Sequence, residues 1–479
     1  MNFLAISSEI ATTILAMVIL GIDLLMPKEK SRKCLGYITV IGLVGVFIAI
    51  FNQYHLGNAP TFVQNLFIMD NLCDMFTTAR KARQMCLLAV GFTVLFSVDF
   101  VEKLPKHHGE FYVLILSALI GMMVMASAND FLTLFVGLEL MAISFYVLVG
   151  YALKSSNSSE AGVKYLIVGS TSSAIMLYGV SLVYGTTGSI IFQELAANFA
   201  LYSTAALVGI LMVLIGFFFK MSIIPFHMWA PDIYQGAPTP ITALLATASK
   251  TAAVAALIRV LFMAFAIVKI YWLPVLILLS TLSMIGGNLM ALRQTNVKRL
   301  LAYSSIAQAG YMLICIIAAD AAGIKGVLFY TLIYIIANIG AFSVLIAVDK
   351  NYGEAEFSTI AGLGQRAPLL AAVLTISLLS MAGIPPMAGF VGKLYLFTAV
   401  VEKGHLLLAF IGFIMSMISV YYYLQVAKTM YIDKPASSEK IELTFAIRVT
   451  VLLSLIGTVV LGIYPEPISN FINMVISTL

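Results

Sequence analysis

The chain has 479 residues, of which 61% are hydrophobic and only 10% are charged. A soluble globular domain carries about 25% charged residues, so this composition excludes a soluble protein and indicates a chain that crosses a membrane many times. The net charge of +5 comes from basic residues in short loops between apolar stretches, which excludes a basic nucleic-acid-binding tail. The four cysteines have no C-x-x-C spacing, so no haem, iron–sulfur or zinc site is visible.

Apolar stretches of about 20 residues can cross the hydrocarbon core of a bilayer as helices. About fourteen such stretches follow one another along the chain, which predicts an all-α polytopic membrane protein. The first stretch lacks a basic leader, so we expect it to remain as a span and not to be removed as a signal peptide. The predicted spans, numbered 1 to 14 in chain order, are 3–26, 35–53, 78–99, 111–127, 130–152, 161–185, 204–224, 238–265, 270–291, 301–318, 324–348, 368–399, 405–427 and 445–464.

The basic residues in the short loops predict the orientation of the chain. Most of them lie on one side of the membrane, beginning with the first loop, which holds Lys28, Lys30, Arg32 and Lys33. Because short loops rich in lysine and arginine stay in the cytoplasm, both termini are expected on the non-cytoplasmic side. The other side carries a basic cluster of Arg80, Lys81 and Arg83. We interpret this cluster as the snorkelling, surface-facing end of span 3.

Two spans contain prolines that break a helix. Span 12 carries MAGIPPMAGFVGK with Pro385 and Pro386, and span 7 ends in KMSIIPF. Broken backbone at membrane depth is tolerated only inside protein or beside a water-filled cavity, and matching breaks in two halves indicate inverted repeats. The sequence therefore predicts N-terminal helices over 1–109, a first repeat over 110–265, a second repeat over 270–427, and a last helix with a tail over 428–479.

Ionisable side chains inside the predicted spans are the candidate functional residues. A charge at the centre of a span costs about 2.5–3.5 kcal/mol, so such a residue needs a partner or water, and it commonly marks a transport path. Six residues meet this description: Glu139, Lys164, Lys220, Lys250, Arg259 and Lys393.

Lys220 and Glu139 are the clearest candidates for proton translocation. Lys220 follows three phenylalanines at 217–219 and precedes Pro225. A lysine in apolar surroundings exchanges a proton more readily than a solvated one, because burial disfavours its charged form. Glu139 is an acid in the middle of a span, which predicts a pair with a lysine, although the sequence does not identify which lysine. A purely structural ion pair is the alternative for both residues.

The other intramembrane charges differ in their surroundings. Lys250 lies among small residues, which let helices approach closely and leave room for water, and Lys393 follows the double-proline break. We interpret both as further proton carriers. Lys164 lies four residues after Glu160, so a proton-carrying role and an intrahelical ion pair both stay open. Arg259 keeps its charge at any reachable pH, and we interpret it as structural or snorkelling.

Some titratable residues outside the span centres have weaker interpretations. His227 and Asp232 show the spacing of some acyltransferases, but they lie on a short loop between spans with no soluble domain to complete such a site. Histidine titrates near neutrality, so a structural or proton-entry role is favoured for His227. Glu9 and Asp23 lie near opposite ends of span 1 and are expected at the membrane interface.

The sequence closely resembles the antiporter-like subunits of respiratory complex I, which are kin to Mrp-type cation/proton antiporter subunits. The resemblance covers most of the chain and is strongest in FLTLFVGLEL, EAGVKYLIVGS, FFFKMSIIPFHMWAPDIYQGAPTPITALLATASK, NVKRLLAYSSIAQAGYML and GIPPMAGFVGKLYLF. It implies a fourteen-helix core with inverted repeats of helices 4–8 and 9–13. By motif, it also implies proton translocation by Glu139, Lys220, Lys250 and Lys393.

Within that family, a lysine in AGFVGKLYLF and a chain that ends soon after span 14 resemble the N-type branch. The M-type branch has a glutamate at that position, and the L-type branch is longer. The resemblance implies a translocase subunit in the bacterial plasma membrane that works beside an M-type subunit, small subunits and lipid, and binds no nucleic acid. It implies no cofactor in this chain, because NAD, FMN, iron–sulfur clusters and quinone belong to partner subunits. The run ARKAR at 79–83 departs from the family, which is more apolar there.

Two other functions stay open. A subunit of an Mrp-type cation/proton antiporter would use the same buried lysines without redox partners. A non-pumping scaffold subunit would tolerate apolar replacements of the buried charges without loss of proton pumping.

Overall fold

The computed structural model describes residues 6–27, 31–52, 73–198, 203–435, 441 and 443–476. Within these ranges, side chains are described except at 51–52, 73–80, 197–198, 321, 471 and 473–476. Lys28, Lys30 and the side chain of Arg80, which entered the predictions above, therefore lie outside the described residues.

The described chain is almost entirely helical. Polar residues divide its long apolar sequence into separate helices, as where Asp130 Oδ1 accepts a hydrogen bond from Thr133 N at 2.8 Å and caps a helix. The helices are α1 Ser7–Leu25, α2 Lys33–Asn52, α3 Cys73–Glu102, α4 His108–Ser127, α5 Phe131–Val149, α6 Ser156–Thr187, α7 Phe192–Asn198, α8 Thr204–Met221, α9 Trp229–Gly236, α10 Thr239–Leu244, α11 Lys250–Arg259, α12 Lys269–Ala291, α13 Val297–Ala318, α14 Ala321–Tyr352, α15 Phe357–Ile360, α16 Leu363–Arg366, α17 Pro368–Ala382, α18 Ala388–Glu402, α19 Leu406–Tyr431, α20 Phe445–Ile463 and α21 Glu466–Ile476.

Thirteen helical segments in the described chain are long and apolar enough to cross a membrane. They correspond to every predicted span except 368–399, which consists of the two shorter helices α17 and α18. The break between them contains Pro385 and Pro386, as the sequence predicts. The prediction of an all-α polytopic membrane protein with a broken helix is therefore confirmed.

The described residues form two compact units. One lies within Met1–Met221 and Ala248–Val275, and the other lies within Ser222–Thr247 and Leu276–Ser477. The division into an N-terminal segment, two inverted repeats and a C-terminal tail stays a prediction.

Glycines set the helix packing in the first unit. A Cβ atom on Gly121 of α4 would lie 2.5 Å from the main-chain nitrogen of Met141 on α5. One on Gly179 of α6 would lie 2.6 Å from the main-chain oxygen of Gly209 on α8. Both distances are shorter than any side chain allows, so these helices touch backbone to backbone, as small residues permit in membranes. This contact fixes the positions of α5 and α8.

One membrane span is not a regular α-helix. The segment Thr239–Ala264 is fully buried and contains two π-helical turns, Leu245–Ser249 and Val260–Ala264, on either side of α11. Such turns interrupt α-helices frequently at functional sites. The sequence predicted a plain helix over 238–265, because small apolar residues carry no signal for a π turn.

The surface-facing interpretation of the basic cluster is wrong for Arg83. Its guanidinium forms an ion pair with Glu9 at 2.8 Å and donates a hydrogen bond to Ser127 Oγ at 2.6 Å. Glu9 was expected at the membrane interface, but it is only 6% exposed. Since a charge removed from water needs an opposite charge, the two residues are buried together.

The snorkelling interpretation of Arg259 is also wrong. Its side chain is 0% exposed, and Nε donates a hydrogen bond to the main-chain oxygen of Ala128 at 3.1 Å. The structural interpretation agrees with this contact, because the guanidinium joins α11 to the end of α4. At the far end of α1, Asp23 pairs with Arg32 at 2.5 Å.

Candidate functional site

Lys220 lies in the last turn of α8 and is 3% exposed. Its Nζ lies 5.7 Å from the ring centre of Tyr146, 5.5 Å from that of Tyr165 and 5.8 Å from that of Phe219. Aromatic faces attract a cation, yet within the described chain Nζ has no hydrogen-bond partner. An ammonium group held in this way breaks no hydrogen bond with the protein when it loses its proton.

Glu139 lies on α5 in the same unit and is partly buried, and its Oε1 has no hydrogen-bond partner among the described residues. Its carboxylate is close enough to Lys220 and to Tyr146 to interact electrostatically with both. The sequence left the lysine partner of Glu139 open, and the structure indicates Lys220. The two groups are not joined by a hydrogen bond, so the attraction acts across a gap.

Lys250 is the first residue of α11 and is 2% exposed. It directly follows the first π-helical turn, and α11 packs against α3, α4 and α8. Lys250 therefore lies in the same unit as Lys220, on a helix that contacts the helix carrying Lys220. Its neighbours on α11 are small residues, including Ala252 and Ala253.

Lys393 lies on α18 in the second unit and is 3% exposed. Its Nζ donates hydrogen bonds to the main-chain oxygen of Ala382 at 2.9 Å and to Ser416 Oγ at 2.8 Å, and it lies 4.7 Å from the ring centre of Tyr311. Ala382 is the last residue of α17, so its oxygen is available because the helix breaks there. The broken helix end thus supplies an uncharged acceptor for the ammonium group.

Lys164 does not join these residues. Its Nζ forms an ion pair with Glu160 Oε1 at 2.6 Å, and both side chains are exposed. The intrahelical pair that the spacing allowed is therefore formed. An exposed pair of this kind contributes little to stability.

His227 lies in the turn between α8 and α9 and is 6% exposed. Burial lowers the pKa of His227 below its ordinary value, and a hydrogen bond with the backbone of Pro225 partly offsets this effect. Asp232 forms an ion pair with Arg299 at 2.8 Å. This pair gives Asp232 a structural partner and does not support the acyltransferase-like interpretation of the spacing.

Sequence reasoning missed a set of neutral polar groups around the broken helix end. Gln308 on α13 donates from Nε2 to the main-chain oxygen of Met381 at 3.0 Å, and Tyr330 on α14 donates from its hydroxyl to Gln308 Oε1. The two last carbonyls of α17 are thus taken up by Gln308 and Lys393. Polar residues in the motif SSIAQAGY, at helical spacing inside an apolar span, are the signal that could have indicated this network.

The same network reaches the ring over which Lys393 lies. Asn288 on α12 donates from Nδ2 to the hydroxyl of Tyr311 at 3.3 Å, and it accepts a hydrogen bond from the hydroxyl of Tyr422 at 3.0 Å. These groups are uncharged, so they do not stand out in the sequence as the intramembrane charges do. These hydrogen bonds link α12, α13 and α19 at Tyr311, whose ring lies beside Lys393.

Residues 128–419 match the family model described as NADH:quinone oxidoreductase/Mrp antiporter, TM. NADH-quinone oxidoreductase subunit N of Heliobacterium modesticaldum is 48% identical over 471 residues, which cover 98% of each chain.

Two solved structures have the same fold. A chain of respiratory complex I from Thermus thermophilus with bound aureothin superposes with a TM-score of 0.81 at 29% identity, over 97% of this chain and 98% of that one. A chain of the Mrp complex from Dietzia sp. superposes with a TM-score of 0.84 over 100% and 98%, but at 20% identity it shows only the fold. This chain therefore belongs to the NADH:quinone oxidoreductase/Mrp antiporter transmembrane family.

Proposed function

We propose that the chain is the N-type, proton-translocating membrane-arm subunit of a bacterial NADH-quinone oxidoreductase. The observation that carries the proposal is the burial of three lysines, Lys220, Lys250 and Lys393, each at most 3% exposed inside a chain of membrane spans. Such positions are costly for a charge, and intramembrane lysines commonly form proton relays. The 48% identity to a subunit N along nearly the whole chain supports the same assignment.

Lys220 and Glu139 are the proposed switch in the first unit. While Glu139 is charged, its field favours the ammonium form of Lys220. When the carboxylate moves away or takes up a proton, Lys220 is left with aromatic faces only and releases its proton. The proton balance is simple: an N–H bond of Lys220 breaks, and the next acceptor gains the proton.

Lys250 is the proposed next carrier, on the helix that packs against α8. Lys393 is the proposed carrier in the second unit, where the oxygen of Ala382 and Ser416 Oγ hold the ammonium form. A hydrogen bond to a charged group contributes about 1.5–3 kcal/mol, so these contacts favour the protonated state. Lys164 and His227 are proposed in weaker roles, His227 in proton entry.

The remaining features of the proposal follow from the family and from the loop charges. The inverted repeats cover 110–265 and 270–427, and both termini lie on the non-cytoplasmic side of the bacterial plasma membrane. An M-type antiporter-like subunit and small membrane subunits are the proposed neighbours. NAD, FMN, iron–sulfur clusters and quinone are assigned to other subunits of the complex.

A subunit of an Mrp-type cation/proton antiporter is the second candidate function, and the family model, whose description also names the Mrp antiporter, favours it. The two candidates differ in their partners. Affinity purification of the tagged chain from its native membrane separates them: co-purification of subunits that oxidise NADH supports the oxidoreductase. Co-purification of antiporter subunits alone contradicts it.

The experiment that tests proton translocation uses the assembled complex in proteoliposomes. We expect Lys250→Ala to lower NADH-driven acidification at unchanged assembly, because the relay loses a proton carrier. Lys403→Ala is the matched control, since Lys403 is an exposed lysine that pairs with Asp320. Wild-type acidification by the Lys250→Ala complex would contradict the proposal and favour the scaffold function.

A further inference from the structure

A buried charge cluster that the proposed relay does not use lies where α1, α3 and α4 meet. Arg83 pairs with Glu9 Oε1 at 2.8 Å and donates to Ser127 Oγ at 2.6 Å, and Ser8 donates to Glu9 Oε2 at 2.7 Å. The side chain of Arg83 is 12% exposed and that of Glu9 is 8% exposed. A carboxylate is therefore held inside the protein near the first residue of α1.

A second arginine adjoins this cluster. Arg259 on α11 donates to the main-chain oxygen of Ala128, the residue after Ser127, and its positive charge interacts unfavourably with that of Arg83. Arginine does not give up its proton in proteins. Of the side chains that make these contacts, Glu9 is the carboxylic acid, and a carboxylate oxygen can accept a proton where a guanidinium cannot.

The helix that carries Arg259 also carries Lys250. Nine residues separate them, which is about 14 Å along an α-helix. At the level of Lys250, Cys86 of α3 contacts the main-chain oxygen of Ala248 at 3.7 Å. Since Arg83 lies one helical turn before Cys86, α3 leads from the level of Lys250 towards the cluster that contains Glu9.

Alanines fill the region between Lys250 and the cluster. Ala82 on α3, Ala126 on α4 and Ala255 on α11 pack together, and each is at most 2% exposed. Their side chains are as small as a side chain can be, so a slight separation of the three helices would admit water.

Two buried amide oxygens beside the cluster point to water in the same place. Gln84 Oε1, next to Arg83 in the chain, and Asn129 Oδ1, next to Ala128, have no hydrogen-bond partner among the described residues. Their residues are 6% and 2% exposed. Buried polar atoms without a protein partner are typically satisfied by ordered water.

We propose that Glu9 is the proton-exchanging group at the membrane face where α1 begins, and that it exchanges protons with Lys250. The inference rests on the proposed function, which orients this face to the non-cytoplasmic side. An N–H bond of the Lys250 ammonium breaks, and an O–H bond of the Glu9 carboxyl group forms through intervening water. The O–H bond then breaks and the proton enters bulk water, while Arg83 holds the carboxylate in place.

The test measures proton pumping, assembly and uncoupled electron transfer of the whole complex in proteoliposomes. Glu9→Gln should lower the pumping rate at least about tenfold, because a positioned proton-transfer group commonly contributes more than that. Glu9→Asp should retain more pumping than Glu9→Gln. Asp23→Asn is the matched control, because Asp23 lies at the opposite end of α1 and also pairs with an arginine.

The double variant Glu9→Gln with Arg83→Gln distinguishes a purely structural ion pair from a proton-exchanging Glu9, because it removes both buried charges together. The proposal expects this variant to assemble and to pump as poorly as Glu9→Gln. Restored pumping in the double variant, or wild-type pumping in Glu9→Gln, would overturn the proposal. If both neutral variants fail to assemble, Glu9→Asp decides: slowed pumping at normal assembly supports the proposal, and wild-type pumping overturns it.

Lys250→Ala is measured in parallel to separate this inference from the proposed function. If Lys250→Ala loses pumping and Glu9→Gln does not, only the role of Glu9 is wrong. If both pump like the wild type, the relay itself is wrong.

Discussion

The ammonium group of Lys393 donates a hydrogen bond of 2.9 Å to the main-chain oxygen of Ala382, where α17 ends. In a continuous helix, that oxygen would accept from the main-chain nitrogen of residue 386, which is a proline without an N–H group. Pro385 likewise provides no donor for the oxygen of Met381, which accepts from Gln308 instead. The two prolines thus leave two carbonyls to side chains of the candidate site.

Replacing both Pro385 and Pro386 with alanine should close this helix. The new N–H groups would compete for the two carbonyls, and Lys393 would lose one of its hydrogen-bond acceptors. We expect proton pumping by the complex in proteoliposomes to fall while the complex still assembles. Pro274→Ala on α12 is the control for removing a proline from a membrane helix. Wild-type pumping by the double variant would show that the break is not needed.

Ser416→Ala should weaken the hold on the Lys393 ammonium group. Ser416 Oγ accepts from Nζ at 2.8 Å and donates to the oxygen of Ala382 at 3.0 Å. Loss of the charged hydrogen bond costs about 1.5–3 kcal/mol, so we expect slower pumping at normal assembly. Ser419→Ala is the matched control, because Ser419 is also buried on α19 and its hydroxyl donates to the main-chain oxygen of Ser416. Equal pumping by the two variants would contradict a role for this contact.

Glu139→Gln should slow coupled quinone reduction, because Lys220 would lose the field of the carboxylate. Glu139→Asp keeps the charge on α5 and should do less harm. Turnover of the purified complex with NADH and a soluble quinone measures both. Glu102→Gln serves as the control, since Glu102 is an exposed acid that pairs with Lys33. If the glutamine and aspartate variants of Glu139 were equally slow, the charge would not be the reason.

Lys220→Arg and Lys220→Ala separate a proton carrier from a structural cation. Arginine keeps a positive charge over the aromatic rings but cannot release a proton, so we expect Lys220→Arg to assemble and fail to pump. Lys220→Ala loses both the charge and the proton and should fail as well. A structural cation predicts the opposite order, with arginine tolerated. NADH-driven pumping and the assembly level of both complexes give the answer, and an active arginine variant rules out the carrier role.

His227 should make the complex less stable in mild acid. Because burial lowers the pKa of His227, the unfolded chain binds a proton below about pH 6.5 before the folded chain does. Its contribution to stability is therefore fully present above this pH and is lost as the pH falls through it. The melting temperature of His227→Asn should fall less between pH 7 and pH 5 than that of the wild type. His405→Asn, at the start of α19, is the control. If the melting temperatures of His227→Asn and the wild type fell equally between pH 7 and pH 5, the prediction would be contradicted.

The sequence predicted the spans, the break at Pro385 and the buried lysines, because each depends on local composition. An apolar run predicts a helix wherever it occurs, and a charge inside it stands out without any tertiary information. The number of membrane-crossing segments also followed from the lengths of the apolar stretches.

The partners of the charged groups could not be predicted, because they come from other helices. Arg83 was predicted to face the surface, but in the structure it forms an ion pair with Glu9, which lies 74 positions earlier in the chain. Gln308 is uncharged, so its position inside a span did not mark it as a candidate. Its side chain nevertheless donates a hydrogen bond to the main-chain oxygen of Met381, the residue before Ala382. Tertiary contacts of this kind leave no periodic signal in one sequence.

The two π-helical turns around α11 change the directions in which the side chains of the span Thr239–Ala264 point. Each π turn contains an extra residue, and one residue is about 100° of rotation around a helix axis. A helical wheel that counts regularly from Thr239 therefore assigns Lys250 to a direction about a quarter-turn away from its true one. After the second turn the error doubles, so cross-links or cysteine labels designed on such a wheel beyond Arg259 would report the wrong face.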